Sequence, residues 1–134
     1  MRTQPCTALI RQGRLHKAEQ FLSAAELVRD LAEDHEDIAD AFATLCVHAG
    51  IAASDVICCA QLGEHAQGEI HSETIALLKT ADKAAAGHLS ALLALKTKSG
   101  YSHTPINPGE FKRSGRAADA LVEAARRAHA SAGG

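Results

Sequence analysis

The sequence has no tryptophan, one tyrosine and three phenylalanines, so aromatics are 3% of its 134 residues. Its core cannot rest on large rings. Alanine and leucine must fill it, which requires helices to approach closely. Proline is scarce, with three residues, and β-branched or aromatic runs are few, so the composition favours helix over strand. No charge of one sign dominates: 14 basic side chains against 16 acidic give a net −2. Nothing global therefore draws the chain to nucleic acid or to a membrane. No apolar run long enough to span a bilayer stands out, and the opening MRTQPCTALIRQGR lacks the hydrophobic region of a signal peptide. Phosphate loops, G-x-G-x-x-G, H-E-x-x-H, calcium loops and G-x-S-x-G are also missing.

The four cysteines, Cys6, Cys46, Cys58 and Cys59, form no C-x-x-C pair, which argues against zinc. They read as small buried hydrophobes in a reducing compartment rather than a disulfide framework. The eight histidines do not converge in sequence, so no metal and no cofactor are expected. A soluble, cytoplasmic protein of one domain follows, long enough to remove roughly two-thirds of its unfolded surface from water.

What is present is helical periodicity. Leu15, Ala18, Leu22, Ala25 and Val28 give a first helix from about Gly13 or Arg14 to Leu31, with residues 1–12 a frayed or short helical arm. The acidic connection Glu33 to Asp37 leads into a second helix, Ile38 to about Leu62, stopped by Gly63. Apolar over more than half its circumference, this helix should be central. Its remaining face carries Asp37, Asp40, Thr44, His48 and Asp55. The last two lie deep in an apolar segment and must reach water or find partners on another helix.

A turn-rich loop over 63–70 precedes a short helix capped by Ser72, and Asp82 caps the next. In that helix Ala85, Leu89 and Leu92 share one face, and the stripe continues to Lys96. An ammonium on an aliphatic stripe must snorkel or pair. Lys98, Tyr101 and His103 follow, so a site is expected where this helix ends near Gly100. Lysines complementing a helix C-terminus would look the same. Asn107, Pro108 and Glu110 then match a capping box opening the last helix, which runs to about Ala130. Its outer face is basic, and Arg113 and Arg116 there are candidates for contact with an anionic partner.

The run LLALKTKSGYSHTPINPGEFKRSGRAADALVEAARR resembles the C-terminal half of HEPN-type helical domains, particularly compact actinobacterial ones, with Lys96, Lys98 and Tyr101 at the family's Lys-x-Lys-x-x-Tyr positions. RLHKAEQFLSAAELV and VHAGIAASDVI resemble its first two helices, so the likeness covers about residues 14–127. The resemblance implies an antiparallel up-and-down bundle of four to five helices, usually a homodimer, partnered in many members with a nucleotidyltransferase or an antitoxin. It also implies a catalytic branch that cuts RNA with Arg, four to six residues, then His. Here Lys98 and His103 stand at that place, with Lys for Arg, and Lys lacks the bidentate fork that suits a phosphate. Arg11–His16 and Arg29–His35 have the spacing but lie elsewhere in the chain.

The expected fold is therefore all-α and HEPN-like. The expected function is a non-catalytic module that homodimerises and binds a protein or RNA partner. One alternative is a metal-independent ribonuclease or toxin, with His103 moving protons, Lys98 stabilising phosphorane charge and Tyr101 positioning substrate. The other is a small-molecule or nucleotide-binding bundle with a polar pocket around His48, Asp55, Lys96 and Tyr101.

Overall fold

The computed structural model describes residues 2–68 and 70–134. A short strand β1 (Thr3–Pro5) leads into α1 (Ala8–Leu31), a 3-10 turn (His35–Asp37) and α2 (Ala39–Leu62). Strand β2 (Glu64–Ala66), α3 (His71–Ala81), α4 (Lys83–Leu93), α5 (Lys96–Gly100) and α6 (Pro108–Ser131) follow. The fold is all-α apart from one antiparallel two-stranded ladder, in register Thr3↔Ala66 and Pro5↔Glu64.

Helix α2 is the centre, packed against α1, α3, α4, α5 and α6. It is long and apolar enough to cross a membrane, but 72% of its most apolar window is buried inside the protein, as for a core helix. Contacts fix the directions. Arg14 meets Asp55 and Phe21 meets His48, so α1 and α2 are antiparallel. Glu19 meets Arg126 and Arg11 meets His129, so α1 and α6 are antiparallel as well. Phe42 stacks on Phe111 while Gly50 lies against Leu121, which makes α2 and α6 parallel. Small residues permit that last packing. A methyl on Gly50 would overlap Leu92, and one on Gly115 would come 3.2 Å from Phe42. The alanine-rich core thus obtains its density from close backbones.

Local signals are obeyed where they are strong. Gly63 closes α2 in the left-handed conformation (φ 73°), its N–H donating to the Cys59 carbonyl. The Asp82 carboxylate accepts from the Ala85 N–H, and Asn107 and Glu110 complete a reciprocal capping box. Ala85, Leu89 and Leu92 are buried, as their spacing requires.

Six expectations are corrected. The first helix starts at Ala8, with Thr7 accepting from the Ile10 N–H. The arm before it is not frayed: β1 pairs with β2, and the Cys6 N–H donates to the Gly63 carbonyl. Residues 64–66 are accordingly strand rather than loop. Cys6 and Cys59 form a disulfide, because the docked arm brings their Cα atoms to 5.5 Å; the reading of four free thiols, and the reducing compartment inferred from it, lose that support. Cys46 and Cys58 remain free and buried. Helix α3 starts at His71 with Ile70 rather than Ser72 at its N-cap. Finally, the helix from Asp82 toward Tyr101 breaks after Leu93, where the Leu95 N–H donates to the Leu92 carbonyl in a tighter turn before α5 starts at Lys96.

Candidate functional site

The residues expected around the end of the α4–α5 segment separate into two groups. Lys98 Nζ donates to Glu110 Oε1 at 2.7 Å, and the same carboxylate accepts from the Asn107 N–H at 3.0 Å. These bonds hold the Glu110 carboxyl below its ordinary range, the Asn107 N–H foremost and Lys98 next. Lys98 therefore acts as a brace on the start of α6. His103 lies exposed in the following loop, and Tyr101 is 82% exposed. The loop is latched elsewhere: the Ile106 N–H donates to Asp40 Oδ1 at 3.0 Å, burying Ile106. Asp40, on the polar face of α2, is that latch. Arg113 and Arg116 are exposed on the outer face of α6. Arg116 lines a groove between α1 and α6 together with Glu26, Arg29 and Asp119.

His48, Asp55 and Lys96 do share one concave space. It is a cleft of about 440 Å³ between α2, the segment after β2, and α3 with α5. Tyr101 is not among its walls. Two histidines that spacing did not single out, His65 and His71, complete the polar side, while Ile51 and Leu93 supply apolar wall.

The side chains are held in place. Asp55, 15% exposed, accepts from Arg14 Nε at 2.9 Å and lies 4.0 Å from His65 Nδ1. Burial raises its carboxyl above the ordinary range, and the Arg14 and His65 charges pull against that rise. His65 Nδ1 is 2.9 Å from the Ala66 carbonyl. A carbonyl only accepts, so the proton sits on Nδ1 and Nε2 is left for the cleft. The His48 ring leans on Phe21 at a centroid distance of 5.4 Å. Among the described residues no carboxylate lies within ion-pair reach of Lys96, and no three His, Cys, Asp or Glu side chains are grouped to hold a metal.

Arg14, His65 and His71 were missed because none of them lies on α2. Arg14 is 41 residues from Asp55, whereas His65 follows α2 by three residues, on the strand that pairs with β1. The deep position of Asp55 in an apolar segment was the available signal. No protein-family model, no curated protein and no solved structure matches this chain.

Proposed function

We propose that this chain is a non-catalytic, HEPN-like helical module that works by association, its first partner being a second copy of itself. The observation that carries the reading is the outward face of α1. Leu9, Gly13, Gln20, Ala24, Leu27 and Leu31 form a second, uncharged stripe on that helix, opposite the buried one and flanked by the exposed His16 and Lys17. Leu9 is 78% exposed, Leu27 60% and Leu31 79%. Solvated helix faces are normally charged, and an exposed apolar stripe marks a contact surface.

The charge on α1 favours a second copy as occupant. Its first half carries Arg11, Arg14, Lys17 and Glu19, a net +2, and its second half carries Glu26, Arg29 and Asp30, a net −1. An antiparallel pairing sets opposite signs against each other; a parallel one sets like against like. With the two-fold axis at Gln20, Leu31 comes level with the second copy's Leu9 and Leu27 with its Gly13. Nothing lies within 4 Å of a methyl placed on Gly13, leaving room for that leucine. Such a contact is isologous and closes as a dimer.

The placement of the Lys98–His103 pair supports the non-catalytic part. A lysine held by a capping-box carboxylate is not available to a phosphorane, and His103 stands exposed on a loop. The exposed Lys112, Arg113 and Arg116 of α6 suit a protein or RNA partner for the dimer. Light scattering tests the reading: a mass twice 14.0 kDa is expected, falling to the single value for Leu27→Glu/Leu31→Glu with helical circular dichroism unchanged. Monomeric wild-type protein would overturn it, as would RNA cleavage abolished by His103→Ala.

A further inference from the structure

We infer that the cleft lined by His48, His65, His71 and Lys96 is a binding site for a small organic monocarboxylate bearing an apolar or aromatic group. The inference does not depend on the α1 dimer, since none of these residues lies on α1.

The cleft has the composition of a ligand site. Its volume of about 440 Å³ falls in the range of small-molecule pockets, which combine apolar walls with a few convergent polar groups. The apolar part is Ile51, Leu93 and Ala66. The polar part has a definite sign. Its one described carboxylate, Asp55, is already engaged by Arg14 at 2.9 Å with His65 on its other oxygen. What remains for a guest is the Lys96 ammonium and the imidazoles. Lys96 is half-buried where α5 starts, so the α4–α5 break delivers a cation to the cleft instead of to open solvent. A half-buried ammonium with no carboxylate in ion-pair reach among the described residues favours an anionic guest.

The number of fixed charges selects the class. A phosphate monoester is close to a dianion at neutral pH and is typically held by arginine forks or clusters of backbone N–H groups. Here the nearby guanidinium, Arg14, is bonded to Asp55. One ammonium, with the His48 and His71 imidazoles each able to present an N–H, matches a single carboxylate, while His65, its Nδ1 proton on the Ala66 carbonyl, contributes an acceptor to the wall. The ring or chain of the ligand then lies against Ile51 and Leu93. The His48 ring is steadied by Phe21, and the His65 ring by its Nδ1 bond to the Ala66 carbonyl.

The test uses the full chain with phenylacetate and indole-3-acetate as probes, read by calorimetry and by amide chemical shifts. Both are expected to bind saturably, with shifts at Ile51, His71 and Lys96. Phenylacetamide, the same size without charge, should bind about 10- to 100-fold more weakly, the loss expected for a charged hydrogen bond. Lys96→Gln should lose a similar factor, Lys96→Arg should retain most of the affinity, and Lys98→Gln should bind as the wild type does. No saturable binding at millimolar probe would overturn the assignment. Equal affinity for phenylacetamide, or undiminished binding by Lys96→Gln, would also overturn it. Tighter binding of phenyl phosphate than of phenylacetate would overturn the choice of carboxylate. Should Lys96→Gln fail to fold, the wild-type comparison of acid, amide and phosphate decides alone.

Discussion

The two ends of α2 are built by opposite means. At its N-terminal end, chain neighbours cap α6, with Asn107, Pro108 and Glu110 inside four residues and Lys98 twelve away, and one long-range latch, Ile106 to Asp40, ties that cap to α2. At its C-terminal end, the parts come from the whole first half of the chain. The Cys6–Cys59 bond spans 53 residues, the β1–β2 ladder joins Thr3 to Ala66, and Arg14 reaches Asp55. The local end pairs Lys98 with Glu110. The non-local end encloses a cleft and leaves Lys96 without a described counter-charge. The carboxylates at the two ends reflect this. Burial moves Asp55 up, whereas the Asn107 N–H and Lys98 move Glu110 down.

The largest expected effect breaks the non-local end. Replacing both bridging residues, Cys6→Ala with Cys59→Ala, should lower unfolding free energy by about 2–4 kcal/mol, since closing a long loop restricts the unfolded chain. Urea denaturation measures it. Hydrogen exchange should show faster opening of Thr3 to Pro5 and Glu64 to Ala66, with α6 near its wild-type protection. A uniform loss across α6 would mean that the ends are not separable. The buried thiols Cys46 and Cys58, both pushed up to about 12 by burial, remain neutral and unreactive in the folded protein.

What could be read from the sequence follows the same division. Helical periodicity placed α2 within one residue of its start and at its end, because its apolar pattern is continuous and Gly63 is an unambiguous stop. The capping box was legible because its three residues are contiguous. The cysteine pairing was not, since adjacent Cys58 and Cys59 gave no sign that a three-residue strand would carry Cys6 to one of them. Half of the cleft was visible: His48 and Asp55 share a face of α2, and Lys96 interrupts a stripe. His65 and His71 were not, because they lie beyond Gly63, on the strand that pairs with β1 and at the start of α3. The α4–α5 break escaped because nothing in Leu93, Ala94 and Leu95 is a helix stop; only the Leu95 N–H bonding back to Leu92 shows the turn.

A smaller effect separates the two carboxylates. Arg14→Gln should cost about 1–3 kcal/mol at neutral pH, the range for losing a charged hydrogen-bond partner. That cost should shrink on acidification, because protonated Asp55 no longer needs a cation. Asp55 lies above the ordinary carboxylate range when folded, and higher still without Arg14. A raised acid binds its proton more tightly when folded, so its contribution is largest at low pH and is lost as pH rises through the folded value. The gap between wild type and Arg14→Gln should therefore begin to close above about pH 4, the ordinary range for Asp. A gap constant from neutral pH down to that point would show that Asp55 is not the group Arg14 serves.

The smallest effect has the opposite pH behaviour and sits at the local end. Glu110→Gln keeps an oxygen that can accept the Asn107 N–H, so the capping geometry survives. Only the charge facing Lys98 is removed, and surface-type ion pairs contribute about 0–1 kcal/mol. Because Glu110 is depressed when folded, its contribution is fully present above the unfolded value and is lost as pH falls through the folded one. The wild-type advantage over Glu110→Gln should thus persist at about pH 4.3, the ordinary value for Glu, and vanish only below it. Melting temperatures at several pH values for both variants place the two closures side by side. If the Glu110→Gln gap closed at the higher pH, Lys98 would not be braced by an ionised carboxylate, and it would again be available as the cation that an RNA-cleaving site needs.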